Sequence, residues 1–368
     1  MTKVFLHSNA ISKFGKHETS ILELASQVAE EALYNFERER IDFLVFSSFT
    51  PDMYTNEFHT AAKLADLLRL GSVMAIRSET ASSSGASAFH LACNLIYSGR
   101  FRTGIVVAAE IMSRFNRAEN NLLLGSVLSD RQINLCLSMA QGGAMVTNLY
   151  FHKYGYTRDD LYHLAKKLHD NGYNNPNAQI RKHITKADYM EAPIFAIPLG
   201  LYDISPLSDG ACAIVLSSDL QSNISVRGLG YGTTPLHNEA LDTSFPASVS
   251  AFQRAYQDSG LTPHDIKVAE LHDAFTTFEL IGAEDAELFP RGRALRKVIE
   301  GVTHPNGSLP INTSGGLKSR GHPIGASGLV QIIELVRFMQ KHPDKNIGLT
   351  HSIGGLATNN FATILELG

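Results

Sequence analysis

The chain has 368 residues, 44% hydrophobic and 18% charged, which is the composition of a globular protein with extensive buried elements. This length favours two domains or a duplicated one over a single core. The net charge of −4 and the lack of a basic stripe argue against nucleic-acid binding. The N-terminus lacks an apolar signal region and no window approaches a membrane span, so we expect a cytoplasmic protein with no membrane association.

Cysteine and histidine patterns give no sign of a metal centre. The 15 histidines occur without HExxH spacing, and no CxxC pair is present, so no metal site is predicted. Cys93, Cys136 and Cys212 are widely spaced in apolar surroundings, and each is expected to be a small buried residue. The stretch RGLGYG fits a dinucleotide-binding loop poorly and no Walker sequence exists, so we predict no permanently bound cofactor.

A helix-then-strand pattern occurs in both parts of the chain. The helical pattern ILELASQVAEEAL (21–33) precedes the strand-like IDFLVFSS (41–48). Much later, SVSAFQRAYQDSG (248–260) precedes IKVAELHDAF (266–275) in the same order.

A closer internal match joins two helical segments that begin with glycine-rich turns. SGASAFHLACNLI (84–96) aligns with IGASGLVQIIELV (324–336), so that Gly85 matches Gly325. Each segment is followed by a polar turn and an apolar run, TGIVVAAE or NIGLTHSIGG. The repeat predicts an α/β protein with two related halves.

The segment between the repeats has a different composition. Residues from about 113 to 200 are rich in Tyr, Asn, His and charge, and we interpret them as an insertion packed over the first half. The buried strand pattern SPLSDGACAIVLSSD (205–219) then closes that half. We place the two halves at residues 1–222 and 223–368.

Four segments could carry chemistry: Ser82-Ser83-Ser84-Gly85, ELHDAF (270–275), NTSGGLKSRGHPIGASG (312–328) and THSIGG (350–355). The first places hydroxyls at a helix start, where free backbone N–H groups and the helix dipole favour a nucleophile or an anion. An ordinary serine cap is the alternative interpretation. The third is the most specific, because glycines flank a Gly-His-Pro turn that holds an imidazole in a tight backbone cage.

These segments resemble the signatures of the thiolase superfamily, closest to the sterol-carrier-protein-type thiolases. NTSGGLKSRGHPIGASG resembles the C-terminal thiolase signature, HDAF the variant motif of the sterol-carrier-protein type, and PLGLYDISPLSDGACAIVL the strand that closes the first half. The resemblance covers nearly the whole chain. It implies two pseudo-symmetric βαβαβαββ halves in five layers, αβαβα, and a homodimer active in lipid metabolism.

The resemblance also assigns roles to four residues. His322 of the Gly-His-Pro turn matches the histidine that activates the nucleophile and binds the thioester oxygen. His272 matches a residue that helps to position an oxyanion or a water molecule, and His351 matches an acid/base position. Ser82 stands where the family pattern has its nucleophilic cysteine. Asp273 and Glu270 are interpreted as residues that orient the backbone or neighbouring side chains.

Serine at position 82 leaves three functions open, since a hydroxyl is a much weaker acid than a thiol and needs a general base. The first is acyl transfer or Claisen-type carbon–carbon chemistry on a coenzyme A (CoA) thioester, with Ser82 as nucleophile. The second is an aldol or retro-aldol reaction of an acyl-CoA without a covalent intermediate. The third is a non-catalytic subunit that binds an OB-fold acyl-CoA-binding protein of the DUF35 type.

Overall fold

The computed structural model describes residues 2–236 and 241–368, in which helices and strands alternate along most of the chain. The strands in chain order are β1 (Phe5–Ile11), β2 (Phe43–Ser47), β3 (Met74–Ser78), β4 (Thr103–Glu110), β5 (Ile194–Ala196), β6 (Leu199–Gly200), β7 (Gly210–Ser217), β8 (Ile224–Thr233), β9 (Val268–Leu271), β10 (Ile347–Gly354) and β11 (Asn359–Leu367). The α-helices in chain order are α1 (Ile21–Ala32), α2 (Pro51–Thr55), α3 (Thr60–Leu67), α4 (Ser84–Tyr97), α5 (Arg117–Gly125), α6 (Asp130–Asn134), α7 (Met139–Tyr154), α8 (Arg158–Asn174), α9 (Lys186–Glu191), α10 (Pro246–Ser259), α11 (Thr276–Asp285), α12 (Ala294–Ile299), α13 (Gly316–Arg320) and α14 (Ile324–Lys341).

Nine of these strands form one mixed sheet, in the order β3-β2-β4-β7-β1-β8-β11-β10-β9. The halves meet where β1 pairs with β8. From this contact outwards, the order β1-β7-β4-β2 mirrors β8-β11-β10-β9, and β3 is an additional edge strand of the first half. In both halves, parallel pairs lie towards the outside and antiparallel pairs towards the centre. The prediction of two related α/β halves is therefore confirmed.

The two matched helical segments form α4 and α14, which pack against each other between the two parts of the sheet. The contact is close, because a Cβ atom on Gly85 would lie 2.6 Å from the backbone nitrogen of Leu329. A Cβ atom on Gly328 would likewise lie 2.6 Å from the nitrogen of Ala86. Outer helices cover the other faces, α1 and α3 over the first half and α10 over the second, which gives the expected αβαβα layers.

The insertion packs over both halves, so the interpretation that it lies over the first half holds only for its first helix, α5, where Asn120 accepts a hydrogen bond from Tyr54. Its longest helix, α8, contacts α11, α12 and α13 of the second half. Leu161, Leu164 and Leu168 form one apolar face of α8 and belong to the same core cluster as Phe252 of α10. The polar composition of the insertion makes this apolar face of α8 hard to recognise in the sequence, because the face consists of only three leucines at helical spacing.

The cysteines also differ from expectation at one position. Cys93 and Cys212 are buried, whereas Cys136 is exposed after the short helix α6.

Within residues 2–236 and 241–368, no helix is long and apolar enough to cross a membrane. The same residues contain no cluster of three or more His, Cys, Asp or Glu side chains that could hold a metal ion.

Candidate active site

A cavity of about 390 Å³ brings together Ser82, His272 and His322, which come from three distant segments of the chain. Most of the remaining wall is apolar and includes Phe49, Met112, Met139, Phe195, Phe275 and Phe278. A mostly apolar hollow with a few convergent polar groups is the usual form of a small-molecule site.

Ser82 lies between β3 and α4, two residues before the helix begins. The preceding residue, Ala81, has a left-handed backbone with φ of 52°, which is uncommon outside glycine. Ser82 is partly buried, and its hydroxyl makes no hydrogen bond within the described part of the chain. The side chain is therefore free to meet a ligand in the cavity.

Ser83 occupies the N-cap position of α4, but its side chain does not form the serine cap that was the alternative interpretation of this segment. Its backbone has φ of −92° and ψ of 3° instead of the extended conformation of a capping residue. Its hydroxyl donates to the carbonyl oxygens of Thr80 and Asn359, at 2.8 and 3.0 Å. The first backbone N–H groups of α4 thus receive no acceptor from Ser83.

His322 is held through its backbone and through one nitrogen of its ring. Its backbone nitrogen donates to Ser208 Oγ at 2.9 Å, and its Nδ1 lies 2.7 Å from Ser327 Oγ. The Ser327 hydroxyl also lies 3.0 Å from the carbonyl oxygen of Pro323, one turn back on α14. When that hydroxyl donates to Pro323, Nδ1 must carry the ring proton, and Nε2 keeps its lone pair.

Ser327 can also turn its proton towards Nδ1 of His322. The carbonyl oxygen of Pro323 already accepts the backbone N–H groups of Ala326 and Ser327, so it does not depend on the hydroxyl. In that arrangement Nε2 carries the proton. Ser327 therefore supports both a base form and a hydrogen-bond-donor form of His322.

His272 follows β9, and its ring meets that of His322 edge-on at a centroid distance of 5.4 Å. Its Nδ1 is buried and has no hydrogen-bond partner in the described residues. Because an unpaired buried N–H is rarer than an unpaired acceptor, the ring proton is best placed on Nε2. His272 then offers a donor to the cavity.

Both histidines are neutral over the physiological pH range. Burial, together with the field of Arg320, lowers the pKa of His322 to about 3. Burial also lowers the pKa of His272 far below its ordinary value, and the nearby His322, His351 and Arg320 add to this effect. Neutral imidazoles can act as bases or hydrogen-bond donors without first losing a proton.

Two buried carboxylates hold the loops that carry these histidines. Asp273 accepts the backbone N–H of Leu317 at 2.6 Å, and Glu270 accepts the N–H and hydroxyl of Ser314 at 3.1 and 2.8 Å. The backbone of Gly316 packs closely against the Asp273 carboxylate, since a Cβ atom on Gly316 would lie 2.1 Å from Asp273 Oδ2. The interpretation of Asp273 and Glu270 as orienting residues is confirmed.

A third carboxylate, Glu110, connects three elements around the cavity. It accepts the hydroxyl of Ser48 at 2.9 Å and the backbone N–H groups of Phe49 and Gly325 at 2.7 and 2.9 Å. Burial raises the pKa of Glu110 to about 7, although these donors oppose the shift. The ends of β2 and β4 are thereby joined to the start of α14.

His351 does not belong to this group, contrary to the sequence-based expectation of four converging residues. Its partners across the sheet are Leu271 and Ala362, both in the apolar core that also includes Phe252 of α10. Its ring packs against Phe252 at a centroid distance of 4.5 Å, and a Cβ on Gly282 would lie 3.4 Å from its Nδ1. His351 therefore faces the outer helices, on the opposite face of the sheet from α14.

The next residue of β10, Ser352, faces the cavity side instead, since successive side chains of a strand point to opposite faces. Its hydroxyl lies 3.4 Å from the carbonyl oxygen of Ser82. Of the motif THSIGG, only Gly355 lines the cavity, and neither His351 nor Ser352 does.

Lys318 and Ser327 are further residues of the site that the sequence interpretation missed. Lys318 lines the cavity, and Ser327 contacts His322 as described. A signal for Ser327 existed, because it lies five residues after His322 at the start of a predicted helix. Nothing in the sequence distinguishes Lys318 from a surface lysine.

Comparisons with known proteins agree with the fold and the signatures. The family model "Thiolase, N-terminal domain" matches residues 4–219, and "Thiolase C-terminal domain-like" matches residues 232–367. Among solved structures, the Ltp2-ChsH2(DUF35) aldolase superposes with a TM-score of 0.82 and 23% identity, covering 100% of this chain and 98% of that one. At this identity the superposition shows the fold alone.

Two curated relatives agree with the same assignment. The acetyl-CoA acetyltransferase of Methanothermobacter thermautotrophicus is 30% identical over 86% of this chain and 86% of its own length. Sterol carrier protein 2 of Homo sapiens is 29% identical over 74% of this chain and 55% of its own length. The chain therefore belongs to the thiolase superfamily, within the sterol-carrier-protein-type branch that its signature sequences predict.

Proposed function

We propose that the chain is a thiolase-like enzyme that transfers an acyl group from an acyl-CoA thioester, or forms or cleaves a carbon–carbon bond next to it. The observation that carries this proposal is the shared cavity of Ser82, His272 and His322, with its mostly apolar wall. Such a cavity can hold an acyl chain and present its thioester to a hydroxyl and two neutral imidazoles. The similarity to an acetyl-CoA acetyltransferase supports the same reaction class.

In the acyl-transfer reaction, Ser82 Oγ attacks the thioester carbon while its proton passes to Nε2 of His322. His272 Nε2–H donates to the developing oxyanion, a kind of interaction that typically contributes about a hundredfold or more to turnover. The carbon–sulfur bond then breaks, and the leaving CoA takes up the proton. An acyl-CoA through its C2, or the thiol of a second CoA, then gives a proton to Nε2 of His322 and attacks the seryl ester. His322 passes this proton to Ser82 Oγ as the ester bond breaks.

The proposal includes CoA as substrate and no permanently bound cofactor. It also includes a homodimer, supported by the position of β3 as an edge strand of the sheet with partly exposed residues. A DUF35-type partner is supported by the similarity in fold to the Ltp2-ChsH2(DUF35) aldolase.

A retro-aldol reaction is a second candidate, favoured by one specific observation. In the described structure, Ser82 Oγ forms no hydrogen bond with His322, so the hydroxyl is not held by its general base. In this alternative, Nε2 of His322 takes the proton of a 3-hydroxyl group and the bond between C2 and C3 breaks. His272 binds the enolate oxygen, and C2 is then protonated.

Intact-protein mass spectrometry after mixing with acyl-CoA distinguishes these reactions. The experiment uses the C136S background, because the exposed Cys136 thiol reacts with thioesters without catalysis. Acyl transfer predicts one acyl adduct that maps to Ser82 and is absent in S82A. The matched control S98A, at the exposed end of the same helix, should acylate like the parent.

Each outcome has a distinct meaning. Turnover of a 3-hydroxyacyl-CoA without an adduct, retained in S82A, would replace acyl transfer by the retro-aldol reaction. Neither adduct nor turnover, with or without a DUF35-type partner, would contradict an enzymatic function and favour the non-catalytic subunit.

A further inference from the structure

Helix α5 contributes two polar side chains to the cavity wall that the proposed reaction does not use. Arg117 is the first residue of α5 and Asn121 lies four residues later, so both side chains lie on one face of the helix. Both residues are exposed and line the cavity, which places them at its opening. Among the described residues, neither side chain has a hydrogen-bond partner, and no carboxylate oxygen lies within 4.0 Å of Arg117. Their N–H donors are therefore available to a ligand.

The guanidinium group of Arg117 contacts an aromatic ring and no acid. Its central carbon lies over the ring of Phe195, 4.5 Å from the centroid, and Phe195 also lines the cavity. This cation–π contact positions the guanidinium group without using its hydrogen bonds. Glu119, the acid nearest to Arg117 in the sequence, instead accepts the backbone N–H of Asn116 at 2.7 Å as part of the helix cap. Arg117 is thus oriented but not neutralised.

The charges around the cavity favour an anion at this opening. No Asp or Glu is among the described residues that line it, and Lys318 is the other lining residue with a cationic side chain. Burial lowers the pKa of Lys318 to about 8, and the nearby charges of Asp203 and Asp273 oppose this shift. The charge of Lys318 is therefore offset within the protein. Arg117 is left as a single cation that an anionic ligand can reach.

Helix α5 also connects this opening to the loop that carries Ser82. Leu124, in the last turn of α5, packs against the same apolar cluster as Ala81, the residue before Ser82. Arg117 precedes Leu124 by two helical turns, which is about 10 Å along the helix axis. An acyl chain with its thioester at Ser82 can therefore run along α5 and end at Arg117.

We propose that Arg117 binds a carboxylate at the far end of the acyl chain, and that the cavity thereby selects CoA thioesters of dicarboxylic acids. The assignment rests on the proposed function, which makes the occupant an acyl thioester with its reacting carbon beside Ser82. A guanidinium group binds a carboxylate through two parallel hydrogen bonds, and the amide of Asn121 can donate another. One uncompensated cation matches the single charge of a carboxylate, whereas the phosphates of CoA carry several charges.

Isothermal titration calorimetry on S82A protein tests the assignment without turnover. It compares glutaryl-, adipyl- and suberyl-CoA with the methyl esters of the same thioesters, so that the CoA part is identical within each pair. We expect at least one free acid to bind about tenfold more tightly than its methyl ester. Adding R117M should remove this preference and change the affinity for the methyl esters by less than about twofold.

R114M is the matched control. Arg114 is also an exposed arginine, but it donates to the carbonyl oxygen of Thr19 at 2.8 Å and does not line the cavity. S82A protein that also carries R114M should therefore keep the preference for the free acid.

Three results would overturn the assignment. The first is binding of every free acid no tighter than that of its methyl ester, which needs no arginine variant. The second is a preference for the free acid that persists in R117M. The third is an equal loss of affinity for acids and esters in R117M, which would show that Arg117 binds the phosphates of CoA. If S82A binds none of the thioesters, the proposed function itself fails, which is a different result from equal binding of acid and ester.

Discussion

At the residue scale, the Ser327 hydroxyl contacts Nδ1 of His322 and orients the ring in both of its neutral forms. We expect S327A to lower kcat about 10- to 100-fold with little change in KM, because the base form of the imidazole loses its orienting partner. S327T keeps a hydroxyl and should recover most of the activity. Steady-state kinetics of both variants test this, and a KM effect without a kcat effect would contradict the role given to Ser327.

The serine at position 82 should limit thiolytic activity. A thiol there would lie beside a neutral imidazole and the start of α4, both of which favour the thiolate. We expect S82C to raise thiolysis of a 3-oxoacyl-CoA by about a hundredfold or more. The assay follows CoA consumption, with S82A as the inactive control. No gain in S82C would mean that the pocket is unsuited to thiolase chemistry.

His351 provides a negative test of the site. Both of its ring nitrogens are buried without hydrogen-bond partners in the described residues. Replacing an unsatisfied buried polar group with an apolar one of similar size is neutral or stabilising, so H351L should keep or raise Tm. Its turnover should stay within about threefold of the parent, whereas H272A should lose about a hundredfold or more. A loss of turnover in H351L as large as that in H272A would show that His351 belongs to the active site after all.

At the scale of elements, Glu110 joins the ends of β2 and β4 to the start of α14 and makes stability depend on pH. Its pKa is about 7 in the folded chain and has an ordinary value of 4.5. Folding therefore takes up a proton between these pH values, and the contribution of Glu110 to stability falls as pH rises through that window.

E110Q removes this proton uptake while keeping an oxygen acceptor. The free energy of unfolding of E110Q relative to the parent should rise by about 3 kcal/mol at most between pH 4.5 and 8. The buried histidines have the opposite pH dependence, but they are common to both proteins and cancel in the difference. Denaturant titrations at four pH values measure the difference in unfolding free energy between E110Q and the parent. A difference that does not change with pH would contradict the raised pKa of Glu110.

A helix or strand can be predicted from the sequence when the pattern that specifies it lies within its own residues. The helical patterns at 21–33 and 84–96 are periodic within themselves, and they match α1 and α4 closely. The side-chain direction of His351 depends on the register between β9 and β10, which no local pattern contains. Likewise, the leucine face of α8 gives no indication of which half it covers.

At the scale of the whole molecule, the duplication explains why three distant segments meet. Ser82 precedes α4 and His322 precedes α14, and these matched helices pack against each other in the middle layer. The internal repeat predicts this symmetry, and the Gly-His-Pro signature predicts one residue of the cavity. Lys318 was missed because its significance comes from burial, which appears only when the insertion and both halves are assembled.

The central claim is that this shared cavity is the acyl-CoA site. A crystal structure of S82A with a bound 3-oxoacyl-CoA tests it most directly. We expect the thioester oxygen within about 3 Å of Nε2 of His272 or His322, with the acyl chain against the apolar wall. A thioester bound elsewhere, or a cavity closed by side chains when the ligand is bound, would contradict it.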